Sequence, residues 1–244
     1  MTGNISFLIV VTGYNCAHFV DKCIRSIQSQ TYTNYRIVVI NDGSTDYTLR
    51  MLEQYHIEII NNSTNLGAAY SRYVAIHANA KPDDVILLLG LDDELKPDCL
   101  ETVVKQYEQG KWMTYGNWID QHDNGLPENF KLDFDKITHK KRDYRKVTYR
   151  STAPNTFYAK LFFKIPESDF KLNDKWIDTT TESEVMFSCL EMCGEKRIGV
   201  IHKYIYLYNR DLPNGTLRRL GLNYKYSIYG QIIKRPRKPL YENI

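Results

Sequence analysis

The stretch VILLLGLDDELKP, residues 85–97, runs from an unbroken apolar segment to two adjacent acids, Asp92 and Asp93, with Glu94 next. A short apolar run closed by Gly and acids reads as a buried strand, and Pro97 suits the first turn of a following helix. The pattern recurs upstream, where Val38-Val39-Ile40 runs into Asn41-Asp42-Gly43-Ser44. Open α/β sheets bind ligands or metals at the carboxyl ends of their strands. Two strands that both end in Asp therefore point to one cleft.

Around these segments the first half alternates strand and helix. Strands are predicted at 7–12, 35–41, 57–61 and 85–89, and helices at 17–30, 45–55, 66–79 and 97–107. Such alternation implies an α/β fold with a mainly parallel central sheet flanked by helices. Right-handed crossovers then gather the strand ends on one rim. The second half is less regular: a strand at 112–119, a polar stretch at 121–150, a short helix at 155–163, a helix at 182–192, a strand at 198–208, and a helix at 217–233 before a Pro/Lys/Arg tail. The polar stretch reads as an acceptor contact, a closing lid or a solvated loop.

The chain has 244 residues, 43% hydrophobic and 25% charged, with a net charge of +3. That is room for one large domain and too little charge to argue for nucleic acid. The five cysteines (16, 23, 99, 189 and 193) have no zinc-site spacing. With no secretory signal in view, they favour free thiols and a cytoplasmic setting. Cys189 and Cys193 read as core residues of a helix. No apolar run reaches the length of a membrane span. The basic run from Lys234 to Lys238 allows a weak contact with an anionic membrane surface, although plain solvation accounts for it better.

Each motif has a chemical and a plain reading. Asp42 can accept a bond from a base imide and Gly43 lets backbone approach a ligand, yet Asn-Asp-Gly-Ser is also an ordinary turn. Asn65-Leu66-Gly67-Ala68-Ala69-Tyr70-Ser71-Arg72 opens a helix whose N–H groups, with Arg72, suit a phosphate. A capped helix with a surface Arg fits equally. Asp92 and Asp93 are hard oxygen donors suited to Mg²⁺ or Mn²⁺, or a solvated turn. Tyr14, Trp112, Trp118 and Trp176 offer rings for stacking on sugars, or core packing.

The ordered set Thr12-Gly13-Tyr14-Asn15, Asn41-Asp42-Gly43-Ser44, Asn65 to Arg72 and Leu91-Asp92-Asp93 resembles the family-two glycosyltransferases of the GT-A fold. The resemblance covers residues 5–120 and continues more loosely through 182–209. It implies an inverting enzyme that moves a sugar from a nucleotide diphosphate sugar, a UDP-sugar favoured, to a hydroxyl of a glycan acceptor with Mn²⁺ or Mg²⁺. On that reading Thr12 and Tyr14 line the nucleotide pocket, Asp42 helps read the base, Arg72 lies near the nucleotide, and Asp92 or Asp93 holds the cation. Asn15, Gly43, Ser44, Asn65, Gly67, Leu91 and Trp176 complete the expected substrate contacts, with Arg210 or Arg218 as further basic groups. By register Glu182 takes the position of the catalytic base, with Glu184 and Asp178 as runners-up. Residues 1–120 would bind the nucleotide sugar and 121–244 the acceptor, within one continuous domain, as a monomer or a homodimer. The family usually carries an Asp where Gly90 stands, and a Pro is missing from the first motif. A non-catalytic nucleotide-sugar or glycan-binding module of the same fold is the rival expectation.

Overall fold

A computed structural model describes residues 5–120, 122, 124–125, 130–209 and 221–241. The first half runs β1 (Phe7–Gly13), α1 (Val20–Gln28), β2 (Tyr35–Asp42), α2 (Thr48–Leu52), β3 (Glu58–Asn62), α3 (Ala68–Asn79), β4 (Val85–Gly90), β5 (Glu94–Leu95) and α4 (Cys99–Glu108). The second adds β6 (Met113–Asp120), α5 (Lys136–Lys141), β7 (Asn155–Tyr158), α6 (Ala159–Phe162), a small hairpin of β8 (Lys171–Leu172) and β9 (Lys175–Trp176), α7 (Thr181–Cys193), β10 (Ile198–Tyr208) and α8 (Leu222–Ile232).

One eight-stranded sheet has the order β3-β2-β1-β4-β7-β6-β10-β5. Parallel ladders join β3-β2-β1-β4 and β6-β10, while β7 and β5 are antiparallel to their neighbours. The sheet is thus mixed, and it continues without a break from the first half of the chain into the second. At its centre Val10 pairs with Val38 on one side and Leu88 on the other.

Alternation along β1 explains the layers. Leu8 and Val10 pack with Ala75 and Ile76 of α3 and with Phe187 and Leu190 of α7. Phe7, Ile9 and Val11 pack with Val20, Ile24 and Ile27 of α1 and with Leu100 and Val103 of α4. Each large aliphatic side chain buried this way contributes roughly 1.5–3 kcal/mol. Helices on both faces hold the parallel strands so that their carboxyl ends share one rim. Cys189 and Cys193 are core residues as expected, and all five cysteines are buried and unbridged.

Two expectations change. The short helix predicted at 155–163 is strand β7 followed by the single turn α6. Asn-Thr-Phe-Tyr favours strand locally, and Thr156 is claimed from both sides, by Thr114 at 2.7 Å and Tyr107 at 2.9 Å. The polar stretch at 121–150 is no simple loop over its described part. Leu132, Phe134 and Tyr144 are buried in the core beside α7, and Arg145 is buried among acids. Irregularly spaced apolar residues gave this segment no periodicity to read.

The basic tail is occupied by the protein itself. Arg235 pairs with Glu184 at 3.0 Å, Lys238 pairs with Asp169, and the Lys238 N–H donates to Glu191 at 3.0 Å. Among the described residues no helix is long and apolar enough to cross a membrane. Residues 217–220, the predicted start of the last helix, lie outside the described residues.

Candidate active site

Strand β4 ends at Gly90, and the chain turns so that the Asp93 N–H donates to the Gly90 carbonyl at 3.0 Å. A Cβ on Gly90 would lie 2.5 Å from Asp92 Oδ1 and 2.9 Å from Asp93 Oδ2. Both carboxylates therefore fold back over the Gly90 α-carbon, into space that any side chain there would fill. The two acids then part company. Asp93 is buried; Tyr206 donates to its Oδ2 at 2.5 Å and the Asn209 N–H to its Oδ1 at 2.8 Å. Asp92 is half-buried, and among the described residues no other residue donates a hydrogen bond to its carboxylate. Burial pushes its carboxyl up to about 6, with nearby Arg72 opposing and Glu182 adding to the rise.

Leu91, expected to touch substrate, belongs to the core. Its side chain is fully buried and packs on Gly13, where a Cβ would fall 2.5 Å from Leu91 Cβ. The backbone N–H of Leu91 donates to the Thr12 carbonyl at 2.9 Å, which ties the rim of β1 to that of β4.

Arg72 of α3 joins the two halves of the chain. It is buried, donates to the Thr181 hydroxyl at 2.9 Å, and pairs with the Glu182 carboxylate. Its Nε is buried with no partner among the described residues. Every residue of α7 is buried except Glu182, whose side chain is 38% exposed. Burial pushes the Glu182 carboxyl up, but Arg72, with help from Lys225, outweighs it and holds the group below its ordinary value.

The runners-up separate cleanly. Glu184 has no exposed surface and is bonded by Arg145 at 3.2 Å, Arg235 at 3.0 Å and Ser188 at 2.9 Å. It is a core ion-pair partner that substrate does not reach, which corrects its place among the candidates. Asp178 stands on the rim: its Cβ is 3.9 Å from an ideal Cβ on Gly67, and Tyr224 donates to its Oδ2 at 3.2 Å.

Asp42 is held from within the chain. Its Oδ1 accepts from Asn62 at 2.7 Å, the Leu66 N–H at 3.0 Å and Ser71 at 3.0 Å, and its Oδ2 accepts from the Gly67 N–H at 2.9 Å. Its oxygens thus satisfy N–H groups at the entry to α3. Gly43 has φ +71°, and a Cβ there would fall 2.2 Å from the Thr64 carbonyl carbon. Only glycine admits that crossing. Asn15 donates its N–H to Ser44 Oγ at 2.9 Å and accepts from the Thr45 N–H at 2.8 Å, clipping the loop after β1 to the loop after β2.

Thr12, Tyr14, Asn65 and Gly67 sit on the same rim of strand ends and helix starts. Trp176 packs edge-on against Tyr70 at 5.4 Å and beside Tyr73 at 5.3 Å, under the Lys171 ammonium. Its ring belongs to an aromatic cluster on α3. Trp112 is likewise covered, by Arg197 at 3.6 Å. Arg210 and Arg218 lie outside the described residues. The sequence reading missed Tyr206, Thr181 and Tyr224. Each acts through a contact more than forty residues away along the chain, for which no linear motif exists.

Acids at two strand ends share one rim with the start of α3, on a mixed sheet of the GT-A fold. Residues 8–166 match Glycosyl transferase family 2, and the chain belongs to that family. Over 118 residues it is 36% identical to an uncharacterized glycosyltransferase of Haemophilus influenzae, covering 46% of this chain and 36% of that protein. Over 107 residues it is 28% identical to the chondroitin synthase of Escherichia coli, covering 41% of this chain and 15% of that protein. The chain thus spans about a third or less of the length of these curated relatives. Among solved structures it is similar to S. aureus TarS 1–349 in complex with UDP, with a TM-score of 0.67 and 16% identity over 94% of this chain and 64% of that one. It is also similar to glucosyl-3-phosphoglycerate synthase from Mycobacterium tuberculosis in complex with Mn²⁺, UDP and phosphoglyceric acid. There the TM-score is 0.66 and the identity 12%, over 96% of this chain and 80% of that one.

Proposed function

We propose that this chain transfers a sugar from a nucleotide diphosphate sugar, a UDP-sugar, to a hydroxyl of a glycan, with inversion at the anomeric carbon. The observation that carries this reading is the meeting of Asp92, Arg72 and Glu182, from three separate elements, on one rim. Glu182 is the one accessible residue of an otherwise buried helix. Held ionised by Arg72, it is available to take the proton of an attacking hydroxyl. Direct attack assisted by one base on the acceptor side inverts the sugar carbon. Arg72 offers its unpartnered Nε to the diphosphate. The helix start fixed by Asp42 presents further N–H dipoles.

The residues fit a divalent cation. Asp92 is a hard carboxylate that no other described residue satisfies, folded with Asp93 over the bare Gly90 α-carbon. Among the described residues no three metal-binding side chains cluster, so Asp92 would hold Mn²⁺ or Mg²⁺ together with oxygens of the nucleotide diphosphate. Such a cation supplies charge stabilisation for the departing nucleoside diphosphate. Support also comes from two neighbours of the same fold, one solved with UDP and one with UDP and Mn²⁺.

The test is UDP release from a panel of UDP-, GDP- and dTDP-sugars with Mn²⁺, with and without glycan acceptors. Metal-dependent release of UDP, lost in Asp92→Asn, supports transfer. Tight binding of a nucleotide sugar with no release under any acceptor would instead make the chain a binding module.

A further inference from the structure

We propose that the adjacent acids divide their work: Asp93 is an internal anchor gripped by β10, and Tyr206 is the positioning residue that aims Asp92 at the cation. The inference rests on the reading that Asp92 meets the metal of a nucleotide diphosphate.

Three observations carry it. First, Asp93 is 5% exposed and each of its oxygens already has a donor within the chain, Tyr206 at 2.5 Å and the Asn209 N–H at 2.8 Å. Asp92, one residue earlier, has no such donors among the described residues. Second, the acids are packed as one unit. The Asp93 N–H closes the turn onto the Gly90 carbonyl at 3.0 Å. An ideal Cβ on Gly90 would lie 2.5 Å from Asp92 Oδ1 and 2.9 Å from Asp93 Oδ2, so the two carboxylates share one space over the Gly90 α-carbon and a shift of one is felt by the other. Third, the grip comes from the far half of the chain. β10 reaches the turn by pairing Tyr206 with Leu95 of β5, and Tyr206 itself is 3% exposed. An outer group that orients a ligating carboxylate commonly matters to metal affinity by 10–100-fold.

The chemistry of asparagine separates anchor from ligand. In Asp93→Asn the amide oxygen still accepts from the Asn209 N–H. The amide N–H donates to the Tyr206 hydroxyl, which turns to accept it. The anchor survives while the negative charge is lost. The experiment is calorimetric UDP binding across a Mn²⁺ titration for the unmodified chain, Asp92→Asn, Asp93→Asn and Tyr206→Phe. Asp92→Asn is expected to abolish the Mn²⁺-dependent component. Asp93→Asn should weaken it by no more than about threefold. Tyr206→Phe should raise the Mn²⁺ needed for half-saturation by about tenfold, with UDP binding recovered at saturating Mn²⁺, which a collapsed site does not show. If Asp93→Asn loses as much as Asp92→Asn, Asp93 is itself a ligand and the inference fails while the metal reading stands. Tyr206→Phe with an unchanged Mn²⁺ requirement overturns the positioning role. Should Tyr206→Phe fail to fold, the Asp93→Asn comparison decides alone. An unaffected Asp92→Asn removes the metal reading and this inference together.

Discussion

The guanidinium of Arg72 on α3 pairs with the Glu182 carboxylate in the first turn of α7, and at 2.9 Å it also holds the Thr181 hydroxyl. One side chain of the first half of the chain thereby ties down the acid proposed for proton transfer and holds its carboxyl below its ordinary value. Residue 180 enters α7 with φ 55°, an uncommon conformation for threonine. The helix start is thus locally awkward, and the Arg72 clamp adds a long-range tie to hold it.

Removing the clamp should move the pH profile. Glu182 must be ionised to act as a base, so activity falls as pH drops through its pKa. Arg72 holds that pKa below the usual carboxylate range against the upward push of burial. In Arg72→Gln burial prevails, and the acid limb of kcat should shift to higher pH. The stability share has the matching sign. In the unmodified chain it is present above the unfolded carboxyl pKa and is lost as pH falls through the folded one, and in the variant it is missing throughout. Rate–pH curves for the two proteins are the measurement, and coincident acid limbs would show that Arg72 does not tune the base.

Glu182→Gln and Glu184→Gln should fail in different ways. Glu182→Gln is expected to keep donor binding and lose transfer by about 10²–10⁴-fold, the usual contribution of a positioned base. Its melting temperature should fall less than that of Glu184→Gln, because the Arg72–Glu182 pair is partly exposed. Glu184→Gln leaves Arg145 and Arg235 facing a neutral amide in a buried site. Breaking such a network costs about 3–5 kcal/mol, read as a lower denaturant midpoint. Calorimetry with UDP and unfolding curves of both variants separate the two roles.

Those two glutamates also mark where the sequence became illegible. Two positions apart on a helix, they point about 200° from each other, but which face meets solvent depends on packing against α8 and the tail. The alternating first half could be read because apolar runs and turn residues are local signals. Strand β7 was misread because four residues carry too little pattern, and its membership is decided by β4 and β6 on either side. The carboxylates at 42 and 92 were found as strand-end acids. That Asp42 and Asp93 are held within the chain was set by partners such as Ser71 and Tyr206, far off in sequence.

Asp42 offers a direct check on that point. It accepts four hydrogen bonds within the chain, two of them from the Leu66 and Gly67 N–H groups. Asp42→Ala leaves several donors buried without a partner, so a loss of about 3 kcal/mol in stability is expected. Weaker UDP binding should follow, because the start of α3 loosens. An unchanged melting temperature with weakened UDP binding would instead mean that Asp42 contacts the base itself.

Restoring the family's acid at position 90 should harm this protein. Aspartate at that position would look like a repair of the metal site. Yet its Cβ alone would lie 2.5 Å from Asp92 Oδ1 and 2.9 Å from Asp93 Oδ2, closer than nonbonded atoms tolerate. The new side chain must expel Asp92 from the space over residue 90 or strain the Gly90–Asp93 turn, and overpacking of this kind costs about 1–3 kcal/mol. It would also add a third negative charge where burial already pushes the Asp92 carboxyl up to about 6. Gly90→Asp is therefore expected to melt at a lower temperature and to bind UDP with Mn²⁺ at least about tenfold more weakly, a loss of about 1.4 kcal/mol. If the variant bound Mn²⁺ and UDP more tightly, Asp92 would not be filling the place of the residue-90 side chain. The absence of a side chain at position 90 is, on this account, what lets Asp92 reach the rim.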